Sequence, residues 1–142
     1  MNFLTNGMCF VLNYVIEDMM MPKKILIVDD NALMVEVMTY ILMNSGYEVI
    51  SLSNGNEIFN RIKTMHPDLI ILDALLPGIN GKEICQFIKL NKTTQNLPGI
   101  MCSGDDDSIE ESLKQKGAPD DVLHKPFDIN CLIDMVAYQL AA

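Results

Sequence analysis

Tryptophan is absent from this 142-residue chain and basic residues are scarce, 10 Lys and Arg against 19 Asp and Glu, for a net charge of −9. Such an excess of negative charge repels phosphate backbones, so direct nucleic-acid binding is not expected. Histidine is limited to His66 and His124, which stand alone in the sequence and are assigned no chemistry; His66 reads as a turn residue between a helix and a strand. The four cysteines, Cys9, Cys85, Cys102 and Cys131, form no CxxC pair and have no histidine at ligand spacing. They read as reduced thiols of a cytoplasmic protein. Long apolar runs are also missing. The stretch from Phe10 to Ile16 is interrupted by Asn13 and preceded by no Lys or Arg, which argues against a signal peptide, and it is too short for a membrane span. Membrane insertion is therefore not expected, and neither internal repeats nor low-complexity segments appear.

What is present is apolar patterning. Hydrophobic residues make up 49% of the chain, including 11 Met. A chain of this length buries roughly 70% of its unfolded surface, enough for one core without staples. Strand-sized apolar runs occur at Ile25–Val28, Tyr47–Ile50, Leu69–Leu72, Ile100–Cys102 and Val122–Leu123. The first and third are apolar at every position, as strands covered on both faces are. Between the runs, Met34, Val37, Met38 and Ile41 recur with helical period, as do Ile129, Leu132, Ile133, Val136 and Leu140. Ile58, Ile62 and Met65 mark another helix, Ile84, Phe87 and Ile88 a further one, and Ser108–Lys116 a more weakly anchored fifth. Ser45-Gly46, Pro67-Asp68 and Gly117-Ala118-Pro119 punctuate the boundaries. Strands alternating with helices predict an α/β domain, a doubly wound five-stranded parallel sheet with five helices, over residues 22–142. Residues 1–21 read as a leader, either a dispensable or misassigned start or an extra docking helix.

In such a sheet, functional groups gather beyond the carboxyl ends of the strands. Asp29 and Asp30 end the first run, Asp73 the third, Ser103 the fourth and Lys125 the fifth. Two like charges about 4 Å apart cost on the order of 4 kcal/mol at an effective dielectric of 20, so three gathered carboxylates need compensation beyond one lysine. An all-oxygen donor set with room for water selects Mg²⁺. A carboxylate beside it can attack phosphorus, with Lys125 and Ser103 as donors to the phosphoryl oxygens. Taken singly, Asp30 reads as a helix N-cap, Ser103 as a loop serine and Lys125-Pro126 as a turn. Their co-occurrence at four of five strand ends favours a single site.

These residues resemble the receiver domain of bacterial two-component response regulators. The resemblance covers about Lys23 to Ala142. It rests on Asp29-Asp30; on Asp73 followed by Pro77-Gly78 and Gly81 in DALLPGINGKEIC; on Ser103; and on Lys125-Pro126-Phe127. It implies a CheY-like fold with flavodoxin-like topology. It also implies a phosphorylation switch in which Asp73 accepts a phosphoryl group from a histidine kinase or histidine phosphotransfer protein. Asp30, Asp73 and the backbone carbonyl of Leu75 would ligate Mg²⁺, with Asp29 acting mainly through water. Ser103 would move to the phosphoryl group and Lys125 would pair with its oxygen. The signal would leave for a downstream protein through the face of the Ser108–Lys116 segment, the Val122 strand and the C-terminal helix. The chain would act as a stand-alone receiver, monomeric or a weak phosphorylation-dependent dimer, and not as an enzyme turning over an outside substrate. Two departures stand out. Val122 replaces the aromatic switch residue common in the family, and Ser103 replaces the commoner Thr. Leu75 and Asp105 occupy the positions that tune access of water to an acyl phosphate.

Two other functions fit parts of the pattern. A Mg²⁺-dependent phosphohydrolase working through an aspartyl phosphate usually needs a second acid two residues after its nucleophile, where this chain has Leu75. A receiver-like scaffold that takes no phosphate is the other. A flavin-binding protein is disfavoured because two acids follow the first strand, where a phosphate cradle needs backbone donors.

Overall fold

Side chains alternate across a strand, so a run such as Ile25-Leu26-Ile27-Val28 needs an apolar layer on each face of its sheet. The computed structural model of the protein, which describes residues 11–12, 21–104 and 113–141, supplies both layers. Its elements run β1 (Lys24–Val28), α1 (Ala32–Asn44), β2 (Glu48–Leu52), α2 (Ile58–Met65), β3 (Leu69–Asp73), β4 (Leu75–Leu76), β5 (Ile79–Asn80), α3 (Gly81–Leu90), β6 (Gly99–Ser103), β7 (Asp121–His124) and α4 (Ile129–Ala141). Leu26 and Val28 join Ile70, Leu72 and Met101 under α2 and α3, whose contributions are Ile58, Ile62, Ile84 and Ile88. Ile25 and Ile27 join Leu69, Ile71 and Ile100 on the opposite face, under Met38 and Leu42 of α1 and Leu132 and Val136 of α4.

Five strands form one parallel sheet in the order β2-β1-β3-β6-β7. Ile25 pairs with both Val49 and Leu69, so β1 is an interior strand, and the chain turns to β2 on one side before crossing to β3 on the other. The reversal opens a crevice at the carboxyl ends of β1 and β3.

Local chemistry sets the helix ends. Asn31, not Asp30, caps α1: its side-chain oxygen accepts from the Met34 N–H at 3.1 Å. Ser45 returns its N–H to the carbonyls of Ile41 and Leu42, and Gly46 at φ +95° turns the chain out. His66 closes α2 in the left-handed region, φ 52°, the turn position expected for it. Asn80 caps α3 by accepting from Lys82 N–H at 2.9 Å.

Two features depart from the expectation. Residues 75–80 form a two-residue antiparallel hairpin, Leu75 opposite Asn80 and Leu76 opposite Ile79, too short to leave a periodicity in the sequence. Four helices of the expected five lie among the described residues beyond position 20. The expected helix at Ser108–Lys116 falls largely on residues 105–112, outside the described residues, while residues 113–117 are turns and bends. Asp105 and nearly all of the leader also lie outside.

Candidate functional site

The site is assembled by strand endings. Beyond Val28 the β1 ladder continues for one bond, from the Asp29 N–H to the Leu52 carbonyl at 3.1 Å, which draws Asp29 inside the protein. Its residue exposure is 2%. Asp29 Oδ1 accepts from the Asn31 N–H at 2.9 Å, while Asp30, one residue on, faces solvent. Asp73 ends β3 at 8% exposure, and its Oδ1 accepts from the Leu75 N–H at 3.2 Å.

Lys125 arrives from the far edge of the sheet. Its backbone N–H donates to the Ser103 carbonyl at 2.6 Å, prolonging the β6–β7 ladder, and its side chain reaches back into the crevice. There Nζ lies 3.2 Å from Asp29 Oδ2 and 3.5 Å from Asp73 Oδ1, across 96 residues of chain in the first case. Asp29, Asp30 and Asp73 each place a carboxylate oxygen within 4.8 Å of the others. Ser103 is buried at the end of β6 and donates its hydroxyl to the Gly104 carbonyl at 2.9 Å. Val122, in β7, is half-buried against the α2/α3 layer, with no aromatic bulk to swing. Leu75 is 71% exposed.

The Lys125 ammonium thus bridges two of the three clustered carboxylates. Burial pushes the Asp73 carboxyl above its ordinary range and the charge of Asp29 adds to this, while the Leu75 N–H and Lys125 pull the other way. Burial alone disfavours the Lys125 ammonium, but Asp29 and Asp73 outweigh it and hold the amine above its usual value. Burial lifts the nearby Cys102 thiol to about 12, with Lys125 pulling the other way. A compact set of hard oxygen donors with residual negative charge fits a hard dication such as Mg²⁺.

The sequence had singled out Asp29, Asp30, Asp73 and Lys125, and the structure brings these four together. It left out Asn31, which both holds Asp29 and caps α1. Its signal was a polar cap residue directly before an apolar helical period. The close backbone approach at Gly81 left no signal in the sequence either.

A doubly wound parallel sheet with an acidic cup and a partly buried lysine at its switch point defines a class of α/β domain. The chain belongs to the response regulator receiver domain family, whose profile matches residues 25–137. It is 38% identical over 107 residues to the alkaline phosphatase synthesis transcriptional regulatory protein PhoP of Bacillus subtilis strain 168, covering 75% of this chain and 44% of that protein. It is 29% identical over 120 residues to the DNA-binding response regulator MtrA of Mycobacterium tuberculosis strain ATCC 25618 / H37Rv, covering 84% of this chain and 51% of that protein. The chain therefore spans about half the length of these curated relatives. Among solved structures, the signal receiver domain of a signal transduction histidine kinase from Syntrophus aciditrophicus superposes with a TM-score of 0.77 at 30% identity, over 84% of this chain and 90% of that one. A CheY-like receiver domain protein from Methanospirillum hungatei JF-1 gives 0.77 at 25% identity, over 85% and 95%. The doubly wound parallel sheet expected from the residues, and the CheY-like fold that the resemblance implied, are the fold observed.

Proposed function

We propose that residues 22–142 act as a phosphorylation-controlled switch of a two-component system, with Asp73 as phosphoacceptor. The observation that carries this reading is the bridging position of Lys125 Nζ, 3.2 Å from Asp29 and 3.5 Å from Asp73, inside a three-carboxylate cup. A carboxylate oxygen of Asp73 attacks the phosphorus of a phosphohistidine on a kinase or phosphotransfer protein. The P–N bond breaks as the P–O bond forms, and the departing imidazole takes up a proton. Asp29, Asp30 and Asp73, with the Leu75 carbonyl, would hold Mg²⁺, which supplies neutralisation of the phosphoryl charge. Lys125 then exchanges its bond to Asp73 for one to a phosphoryl oxygen, and the Ser103 hydroxyl leaves the Gly104 carbonyl to donate to another.

Transfer between proteins needs a docking face beside the site. Leu33, Val37 and Tyr40 stand exposed at i, i+4 and i+7 along α1, immediately after the acidic pair, and supply an apolar row of the kind that meets a partner helix. Output passes to a downstream protein by the face of β7 and α4, as a monomer or through a weak phosphorylation-dependent dimer in the cytoplasm. With half-buried Val122 in β7, the movement of Ser103 carries the switch without an aromatic rotation. Turnover of an outside phosphate ester is disfavoured because Leu75, the residue two beyond the nucleophile, is apolar and offers no acid to a leaving group.

Incubation with Mg²⁺ and a small phosphodonor, followed by intact mass measurement, tests this reading. A single added phosphate, lost in Asp73→Asn and in EDTA, is expected. A mass gain that persists in Asp73→Asn moves the chemistry to another residue.

A further inference from the structure

Among the described glycines, Gly81 combines a Cβ position blocked by backbone with the absence of a positive φ. Gly46, Gly78 and Gly117 have positive φ and meet a conformational need; Gly81 does not. It is the buried first residue of α3, where its backbone conformation would suit alanine. What it lacks is space. A Cβ at Gly81 would collide with the carbonyl oxygen of Asp73 and lie 3.0 Å from the Asp73 carbonyl carbon and from the Ala74 Cα. These are backbone atoms, which cannot swing aside as a side-chain tip can.

The neighbouring bonds show where the displacement would go. Gly81 N–H donates to the Ala74 carbonyl at 3.1 Å, and Ala74 N–H donates to the Cys102 carbonyl at 2.9 Å. Leu75 pairs with Asn80, whose side chain caps α3. The start of α3, the β4–β5 hairpin and the Asp73–Leu75 backbone are therefore one tied unit. That unit carries the Leu75 N–H that holds Asp73 Oδ1.

We propose that Gly81 is a positioning residue for the acidic cup: by letting α3 close onto the Asp73 carbonyl, it sets the Asp73 side chain and the Leu75 backbone at the geometry that binds a dication. The inference rests on the phosphoacceptor reading above and adds to it a residue that touches neither phosphate nor metal. Gly55 provides the control. A Cβ there is also crowded, at 2.9 Å from Ile79 Cδ1 and 3.1 Å from Ile84 Cδ1, but these are the ends of flexible side chains, which can give way where the backbone at Asp73 cannot.

The test is a Mg²⁺ titration followed by amide resonances of Asp29, Asp30, Asp73 and Leu75 in wild type, Gly81→Ala and Gly55→Ala, with a thermal melt of each. Both variants are expected to melt lower. Gly81→Ala should bind Mg²⁺ at least ten-fold more weakly than wild type and show displaced Asp73 and Leu75 amides before metal is added. Gly55→Ala should stay within two-fold of wild type. A folded Gly81→Ala with wild-type affinity and undisplaced amides overturns the proposal. If Gly81→Ala does not fold, Asn80→Ala loosens the same unit without adding atoms beside Asp73; a two- to five-fold weaker affinity supports the role and an unchanged one overturns it. If wild type itself shows no response to Mg²⁺, the metal part of the phosphoacceptor reading fails. The metal-free spectra then decide on Gly81 alone: amides displaced in Gly81→Ala but not in Gly55→Ala sustain the positioning role, and undisplaced amides end it.

Discussion

Replacing Lys125 by Met keeps most of the side-chain volume and removes one charge, leaving Asp29 and Asp73 to face each other without a counter-ion. At 3.2 and 3.5 Å, each lost attraction is worth about 5 kcal/mol at an effective dielectric of 20. Those gross values overstate the effect, because the ammonium is partly solvated and its own desolvation is relieved on removal. Truncating one partner of a buried ion pair costs 3–5 kcal/mol, and partial exposure puts this site at the lower end, about 3 kcal/mol. For a chain of this size, about 3 kcal/mol lowers Tm by roughly 9 °C.

The deficit must also depend on pH. Asp73 is already held above its unfolded value of 3.8 by burial and by Asp29, and losing Lys125 raises it further. A carboxyl group raised in the fold stabilises it below the unfolded value, and that contribution is lost as pH rises through the folded one. Urea denaturation in EDTA should therefore show a deficit of about 3 kcal/mol at pH 7.5 that shrinks to under about 1 kcal/mol near pH 4. Adding Mg²⁺ at pH 7.5 should narrow it as well, by neutralising the same carboxylates. A deficit equal at both pH values, or a variant as stable as wild type in EDTA, refutes the electrostatic account.

Asp73→Asn removes the like charge beside Asp29 and should raise the stability of metal-free protein by roughly 1 kcal/mol in urea titrations at pH 7.5, while a lower stability would contradict it. Leu75→Asn, at an exposed position next to the carboxylate, should speed loss of phosphate from the phosphorylated protein several-fold by admitting and orienting water; an unchanged decay removes Leu75 from that role. Burial lifts the Cys85 thiol to about 11 and the Cys102 thiol to about 12, so peptide mapping after alkylation of native protein at pH 8 should find exposed Cys131 modified and these two intact. Because the unfolded thiols ionise near 9.0 and the folded ones do not, stability should fall by roughly 1.4 kcal/mol per thiol for each pH unit between 9 and about 11, and a flat profile there would contradict the burial of both.

The sheet and most of its helices were legible because burial is written into every residue of the chain. Ile25–Val28 and Leu69–Leu72 cannot tolerate an exposed face, and the Met34–Ile41 and Ile129–Leu140 periods each declare one buried stripe. The positions of Asp29, Asp30, Asp73, Ser103 and Lys125 followed from the same local logic, since a residue after an apolar run is the residue at the strand's end. The β4–β5 hairpin escaped notice because two-residue strands are too short to carry a pattern.

Composition and order along the chain thus determined the layered α/β architecture and the chemical types gathered at one rim. Only the folded protein decided which of the two adjacent aspartates is buried, that Lys125 bridges Asp29 and Asp73, and that Gly81 must lack a side chain because α3 closes on the Asp73 carbonyl. Those facts depend on distances of a few ångströms between residues as many as 96 positions apart. Local sequence constrains which face of an element is buried. The separation of two groups across a crevice is set by the packing of every element between them.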